Sequence, residues 1–458
     1  MSVVKWTTKK QLSAVRIDYS NTELKKIRSE ILSLCDHYMN IREKPTYEPG
    51  VDIIPASSKI LDSSDLKALV DSSLDLWLTS GRYAEEFSDQ IAKKFNLKKA
   101  ILTVSGSSAN LLAFSALTSP KLGNKRIKKG DEVITVAAGF PTTVFPIIQN
   151  NCVPVFVDIN LNNYNIDTNQ LQKALTKKTK AIMIAHTMGN PFDLEKVSNF
   201  CKKNGLYLIE DCCDAFGAEF KGKHVGTFGD LATMSFYPAH HITAGEGGAV
   251  VGNNLRLLRL VESFRDWGRD CYCHTGMNNT CGKRFNWRLG KLPYGYDHKF
   301  IYSHIGYNMK MTDMQAAIGF SQIKKLNTFI KLRRRNFEIF TKILKEKKLD
   351  QHFILPKKTK NSEPSWFGYM LTIKNNLDRK KIIEHLEKNK ILTRLLFAGN
   401  LTRQPAFEDV KYRVSGSLKV TDRVMKNSFW LGIWPALDAK HFKYMSKILD
   451  EAVRNQIK

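Results

Sequence analysis

No apolar run in this 458-residue chain approaches the roughly 20 residues needed to cross a bilayer. Residues 1–18 are polar and basic and lack the apolar core of a signal peptide, so the chain reads as a cytoplasmic protein with no membrane association. Internal repeats and low-complexity tracts are missing too, which argues against a solenoid or a linker protein. Acidic residues are scarce: 44 Asp and Glu face 71 Lys and Arg, a formal net charge of +27. The excess is scattered in short runs at 173–180, 324–335 and 342–348, without interleaved aromatics or a nucleic-acid motif. It describes a lysine-rich solvated surface and no nucleic-acid partner. Such a field still favours the approach of an anionic substrate or an acidic redox protein. Cysteine is sparse, with eight residues and no Cys-x-x-Cys pair. That argues against a zinc ribbon, and a cytosolic setting disfavours a disulfide framework.

What is present is a rhythm. Short β-branched or apolar runs at 100–104, 132–136, 154–158, 181–185, 206–210, 231–235 and 248–251 alternate with helical patterns, for instance at 108–116, 167–175 and 194–203. The alternation predicts an α/β fold with a mostly parallel central sheet covered by helices on both faces. Residues 267–307 interrupt it with Gly, Cys, Asn, Tyr and Arg in no period, the mark of a long functional loop. One helix is expected from Thr312, its N-cap, to about Lys345. The remainder alternates strands with helices, such as 378–389. The expected organisation is an N-terminal extension at 1–50 with one helix at 22–39, a large α/β domain at 51–346 and a smaller α+β domain at 347–458. Two cored domains suit this length, since single cores stop growing at roughly 250 to 300 residues.

Three segments of the large domain carry candidate chemistry. The turn Ser105-Gly106-Ser107-Ser108-Ala109-Asn110 stands where the first run gives way to a helix. Small side chains and free amides there can cradle an anion, although an ordinary capped turn has the same composition. Ile209-Glu210-Asp211 ends a strand with a carboxylate at the edge where open α/β sheets bind ligands. An acid in that place keeps a pyridoxal-type ring nitrogen protonated; the alternative is a helix-capping acid. The third segment is Ser235-Phe236-Tyr237-Pro238-Ala239-His240-His241-Ile242-Thr243-Ala244-Gly245-Glu246-Gly247-Gly248.

This third segment resembles the active-site segment of the DegT/DnrJ/StrS sugar aminotransferase family, in which a lysine five residues before the Gly-Glu-Gly-Gly turn bonds the cofactor. Here that position is His240, and no lysine occurs between Lys223 and Lys283. Further landmarks fall in order: Gly139-Phe140-Pro141-Thr142-Thr143, Val155-Phe156-Val157-Asp158, His186 with Gly189 and Pro191, and Gly306-Tyr307-Asn308 before Met311-Thr312-Asp313. The resemblance covers residue 50 to the C-terminus and implies a fold-type-I aminotransferase-like architecture. It also implies that Phe140 stacks on the cofactor ring and that Asp211 pairs with the ring nitrogen. Gly106, Ser107, Ser108, Ser235 and Asn308 would hold the phosphate, Asn308 from a neighbouring subunit, hence a homodimer with a shared site. The family often has Gln or His where this chain has Asp214. His241 is a candidate substrate contact or a structural residue, and Arg394 and Arg403 are candidate contacts for sugar or diphosphate, or ion-pair residues.

Imidazole forms no stable Schiff base but remains a base, with an ordinary pKa of about 6.5. Pyridoxamine 5′-phosphate would then stay noncovalently bound and attack a sugar ketone, and dehydration would replace transamination.

Cys213, Cys271, Cys273 and Cys281 suit a four-cysteine metal centre. Their spacing resembles the 2Fe-2S ligand set of the nucleotide-sugar 3-dehydrases of the CDP-4-dehydro-6-deoxyglucose type, and the match extends through residues 265–273. The resemblance implies C3 deoxygenation of a nucleotide-linked 4-keto-6-deoxyhexose, in 3,6-dideoxyhexose and O-antigen biosynthesis. An NAD(P)H-dependent flavin or iron-sulfur reductase would supply the electrons, through a cluster ligand close to Asp211. The alternatives are a cluster-independent dehydratase of a GDP sugar and a noncatalytic scaffold with zinc in the cysteine site.

Overall fold

Strands form where the apolar runs lie. Glu132–Val136 and Leu231–Ser235 occupy the marked residues, and Lys99–Thr103, Val153–Val157, Thr179–Ala185, Tyr207–Asp211 and Gly248–Gly252 are offset at their ends by one or two residues. In this computed structural model, which describes residues 21–44, 46–273, 275–374 and 376–457, they build one sheet. Its order across the sheet is Lys99–Thr103, Gly248–Gly252, Leu231–Ser235, Tyr207–Asp211, Thr179–Ala185, Glu132–Val136, Val153–Val157 and finally a short edge strand, Arg413–Val414. Gly248–Gly252 runs antiparallel to both neighbours, and the other pairings are parallel. Successive side chains serve opposite faces: Leu102 and Ile134 join one buried core, Ile101 and Val133 the other. Continuous apolar runs are therefore required, as for any sheet covered on both sides.

The helix expected from Thr312 starts there, with a capping box between Thr312 and Gln315. It is not continuous: a 3-10 turn, Ile323–Lys325, divides Asp313–Gln322 from Leu326–Glu346. The break falls where Gln322 and Lys325 reach back to Asp65 at 2.8 and 2.7 Å. Beyond it, Phe353–Ile354, Tyr369–Ile373 and Ser428–Leu431 form a separate antiparallel sheet over a core that includes Trp366, Phe429 and Trp434. The chain leaves this layer twice, once where Ser362–Glu363 pairs with Glu219–Phe220 and once to add Arg413–Val414 to the large sheet. There Arg413 pairs with Glu132 at 2.8 Å, and the Asp158 carboxylate accepts from the amides of Val420 and Thr421 at 2.9 and 2.8 Å.

The N-terminal helix spans Thr22–Ile41, capped by Asn21, and docks through Arg28 on Asp71 and Asp75 at 2.6 and 2.9 Å. Residues 1–20 of the expected extension lie outside the described residues. No helix among the described residues is long and apolar enough to cross a membrane. The loop 267–307 is irregular apart from short turns such as His298–Phe300. At its neck, a Cβ on Gly268 (φ 81°) would stand 1.8 Å from the His304 carbonyl oxygen, so only glycine fits.

Candidate active site

The parallel strands deliver Asp211 and Ser235 to their C-terminal edge, beside the start of helix Gly106–Leu117. Ser105 caps that helix, its Oγ accepting from the Ser108 amide at 3.1 Å. A Cβ on Gly106 would meet Ser235 Cβ at 2.5 Å and Cys213 Sγ at 3.0 Å, so glycine lets the helix start approach the strand end. The first amides of a helix have no intrahelical acceptor and face an anion well. Ser107 Oγ donates to Thr142 Oγ1 at 3.2 Å and is exposed at this mouth.

Asp211, 4% exposed, is held by three donors. Asn110 Nδ2 and Thr143 Oγ1 donate to Oδ2 at 2.8 and 2.7 Å, and the Cys213 amide donates to Oδ1 at 3.1 Å. Thr233 in turn orients Asn110 at 2.7 Å. Asn110 and Thr143 lie inside the motifs quoted above, yet nothing in the sequence alone marks them as supports of the carboxylate. Phe140 is 50% exposed and meets Phe397 edge-on at 5.7 Å.

His240 sits across from this acid. Its Nδ1 is buried without a hydrogen-bond partner and lies 3.7 Å from Asp214 Oδ1. Burial depresses the imidazole to about 4, against the pull of Asp211 and with the push of Arg333, so the free base prevails at neutral pH. Asp214 is pushed up to about 8 by burial and then by the Asp211 charge, opposed by the Met188 amide and Arg333. Arg333 is itself buried; its Nη1 donates to the carbonyls of Trp366 and Phe367 at 3.0 and 3.2 Å, and burial lowers it to about 9. Sequence patterning hides Arg333 in a basic helical run.

In the folded chain Asp214 retains a proton up to about pH 8 that an unfolded aspartate gives up above 3.8. Its contribution is therefore fully present below the unfolded value and is lost as pH rises from about 4 to about 8. Cofactor-free Asp214→Asn is expected to lack that downward slope of stability. Urea midpoints at pH 5 and pH 8 test this; equal slopes in both proteins would rule it out.

The remaining expected residues are dispersed. His241 is 2% exposed, and its Nε2 donates to the Ser365 carbonyl at 2.6 Å, so it is built into the interior. Arg394 bonds the Thr393 carbonyl at 2.7 Å, and Arg403 pairs with Asp422 at 3.0 Å; both are exposed. Asn308 is exposed and accepts from Lys310 at 3.1 Å. Cys271, Cys273 and Cys281 come together, lining one cavity with Arg284, His298 and Lys299. Cys213 is not among the residues that line this cavity; its sulfur lies at the start of helix Gly106–Leu117.

The Asp211 carboxylate, the glycine-floored helix start and the buried unpartnered imidazole fit a pyridoxal-type cofactor, and they define a protein of the pyridoxal-phosphate-dependent aminotransferase fold. The chain belongs to the DegT/DnrJ/EryC1/StrS aminotransferase family, whose model matches residues 59–450. The lipopolysaccharide biosynthesis protein RfbH of Salmonella typhimurium is 51% identical over 429 residues, 93% of this chain and 98% of the relative. The dTDP-4-dehydro-2,6-dideoxy-D-glucose 3-dehydratase of Saccharopolyspora spinosa is 47% identical over 93% of this chain and 92% of its own length. Among solved structures, a GDP-4-keto-6-deoxymannose-3-dehydratase mutant with bound GDP-perosamine superposes with a TM-score of 0.78 at 30% identity, covering 86% of this chain and 100% of that one. Over most of its length the chain is thus similar to nucleotide-sugar 3-dehydratases of this family.

Proposed function

We propose that this chain removes the C3 hydroxyl of a nucleotide-linked 4-keto-6-deoxyhexose, with CDP-4-dehydro-6-deoxy-D-glucose as substrate, using pyridoxamine 5′-phosphate and a 2Fe-2S centre fed by an NAD(P)H-dependent reductase. The observation that carries this reading is His240: at the place of a cofactor-bonding lysine stands a buried imidazole whose free base prevails at neutral pH. The bound cofactor supplies an amine that condenses with the sugar ketone and a ring that accepts electron density.

The chain's own groups do the rest. Asp211, fixed by Asn110 and Thr143, keeps the ring nitrogen protonated. Ser107, Ser235 and the first amides of helix Gly106–Leu117 bind the phosphate, with Gly106 and Ser108 shaping the turn and Asn308 of a second subunit completing it. Phe140 covers the ring. His240 takes the proton from the C4′ carbon as the C3 hydroxyl departs, and the neutral Asp214 beside it avoids trapping the imidazole as an ion pair. Arg394 and Arg403 stand at the surface for the sugar diphosphate, and Cys213, Cys271, Cys273 and Cys281 furnish thiolates for iron. The Salmonella and Saccharopolyspora relatives, named for lipopolysaccharide biosynthesis and for a dTDP-sugar 3-dehydratase, support this side of the family over the more distant GDP-sugar enzymes.

Anaerobic incubation of CDP-, dTDP- and GDP-linked 4-keto-6-deoxyhexoses with pyridoxamine phosphate and an electron donor is expected to give a product one oxygen lighter, with the CDP sugar fastest. Amino-sugar formation instead would overturn the reading. A colourless protein with stoichiometric zinc would remove its redox half.

A further inference from the structure

Helix Leu326–Glu346 carries one cation into the interior beside His240. We propose that Arg333 is the positioning residue of the His240 base: it ties the main chain of residue 240 to residues 366 and 367, and its charge stands against the imidazolium form. Arg333 acts through His240 and not on the reacting atoms, so its role rests on the reading of His240 as a base given above.

Arg333 is 1% exposed. Its Nη1 donates to the carbonyls of Trp366 and Phe367 at 3.0 and 3.2 Å, and its Nη2 donates to the His240 carbonyl at 3.4 Å. One planar fork thus joins two segments that are remote in the chain, and both support the imidazole. The ring of Phe367 lies 5.2 Å from that of His240, tilted by 39°, and the neighbouring His241 donates through Nε2 to the Ser365 carbonyl at 2.6 Å. The 365–367 segment is held by a third stretch of chain: the Ser365 and Phe367 amides donate to the carbonyls of Gly189 and Met188 at 3.0 and 2.9 Å. At Gly189 (φ 84°) a Cβ would stand 2.0 Å from the Ser365 carbonyl oxygen, so only glycine permits that approach. The imidazole is therefore packed against one fixed ring and carried on fixed main chain, and Arg333 bonds both supports.

A buried guanidinium ordinarily has a carboxylate for a partner. Arg333 gives its donors to main-chain carbonyls instead, and its Nε is buried without an acceptor. Asp214, the acid whose charge would offset it, keeps its proton up to about pH 8, through burial and then the Asp211 charge. A cation so placed is costly to stability, and a neutral amide could brace the same carbonyls without that cost. Beside His240 the charge does what an amide cannot. The groups that face the imidazole are Asp211, Asp214, Tyr237, His241 and Arg333. Burial does most to keep the ring unprotonated; Asp211 opposes it and Arg333 assists. Asp214 is neutral at neutral pH, and burial keeps His241 neutral as well. Arg333 is thus the charge that counters Asp211 at the base.

The test is a magnetic-resonance titration of the full chain with isotope-labelled histidine, the His240 signal being identified by its loss in His240→Asn. In cofactor-free Arg333→Gln, which keeps a carbonyl-binding amide but loses the charge, the His240 midpoint is expected to rise by roughly 1 unit, the usual effect of removing a nearby cation. Arg333→Lys, which keeps the charge, is expected to titrate as wild type does, at about 4. With pyridoxamine phosphate bound and the CDP-linked 4-keto-6-deoxyhexose as substrate, kcat is expected to fall at least about tenfold in Arg333→Gln and about threefold in Arg333→Lys at unchanged KM, because displacing a base by about 1 Å costs up to about 10²-fold. An unchanged His240 midpoint in Arg333→Gln, or a kcat equal to that of wild type in either variant, would overturn the assignment and leave Arg333 a structural strut. If Arg333→Gln does not fold, the kcat of Arg333→Lys decides alone. A shifted midpoint in a chain that turns over no nucleotide sugar would instead fell the reading of His240 as the dehydration base, with the coupling between Arg333 and the imidazole intact.

Discussion

The His240→Asn variant is expected to turn over its nucleotide-sugar substrate roughly 10²- to 10⁴-fold more slowly than wild type, the usual weight of a general base, and to bind pyridoxamine phosphate as before. Asparagine preserves much of the shape and polarity of the site but cannot take up a proton at neutral pH. The binding groups lie elsewhere, in Asp211, Ser235 and the start of helix Gly106–Leu117, so affinity for the cofactor is not at risk. The imidazole is suited to the work because burial holds it to about 4, leaving it unprotonated at physiological pH. Two measurements separate base from bystander: steady-state turnover, and exchange of solvent deuterium at the cofactor C4′ position. Exchange in the variant within tenfold of wild type would refute the role.

A second variant, Glu210→Ala, is expected to lower stability by about 3–5 kcal/mol, the cost of leaving several buried donors without their acceptor. Glu210 is fully buried directly before Asp211, and its carboxylate is saturated. Oε1 accepts from the amides of Phe228 and Gly229 at 2.9 and 2.7 Å, and Oε2 accepts from the Gly226 amide at 2.8 Å and from His186 Nε2 at 3.2 Å. His186 is stacked on Phe192 at 4.2 Å, and its Nδ1 accepts from the Phe192 amide at 3.3 Å. Removing the carboxylate leaves these donors buried and unpaired, at about 1–3 kcal/mol each before relaxation. His186, Glu210 and Cys212 lie close enough to suggest a metal site, but the carboxylate oxygens already carry their hydrogen bonds. Urea unfolding followed by circular dichroism measures the effect, and Glu210→Gln, which keeps one acceptor oxygen, is expected to recover part of it. A loss under 1 kcal/mol in Glu210→Ala would show that the clasp is dispensable.

The central sheet was legible because its strands are short, apolar on both faces and punctuated by turns; Leu231–Ser235 and Glu132–Val136 needed no tertiary information. The edge strand Arg413–Val414 has two residues and no pattern, and only its pairing with Val153–Val157 makes it a strand. Likewise the break at Ile323–Lys325 depends on Asp65, some 260 residues upstream. In the site, Asp211 and His240 could be read because a strand end and a motif position fix them. Asn110, Thr143 and Arg333 are visible only once three distant segments converge. For the cysteines, closeness along one loop brings Cys271, Cys273 and Cys281 to one cavity, and His298, 17 residues beyond Cys281, joins its wall with no motif to announce it.

The return of Arg413–Val414 to the large sheet bears on how the molecule can move. A lobe joined by a single crossing can swing about that crossing as a hinge. Here the chain crosses at Glu346, comes back as a ladder strand secured by Arg413–Glu132 and the Asp158 clasp, and leaves again for Ser428–Leu431. Rotation of the smaller layer would have to strip that strand from its neighbour. The permitted displacements are slides of packed helices and rearrangements of loops, and not the opening of two jaws.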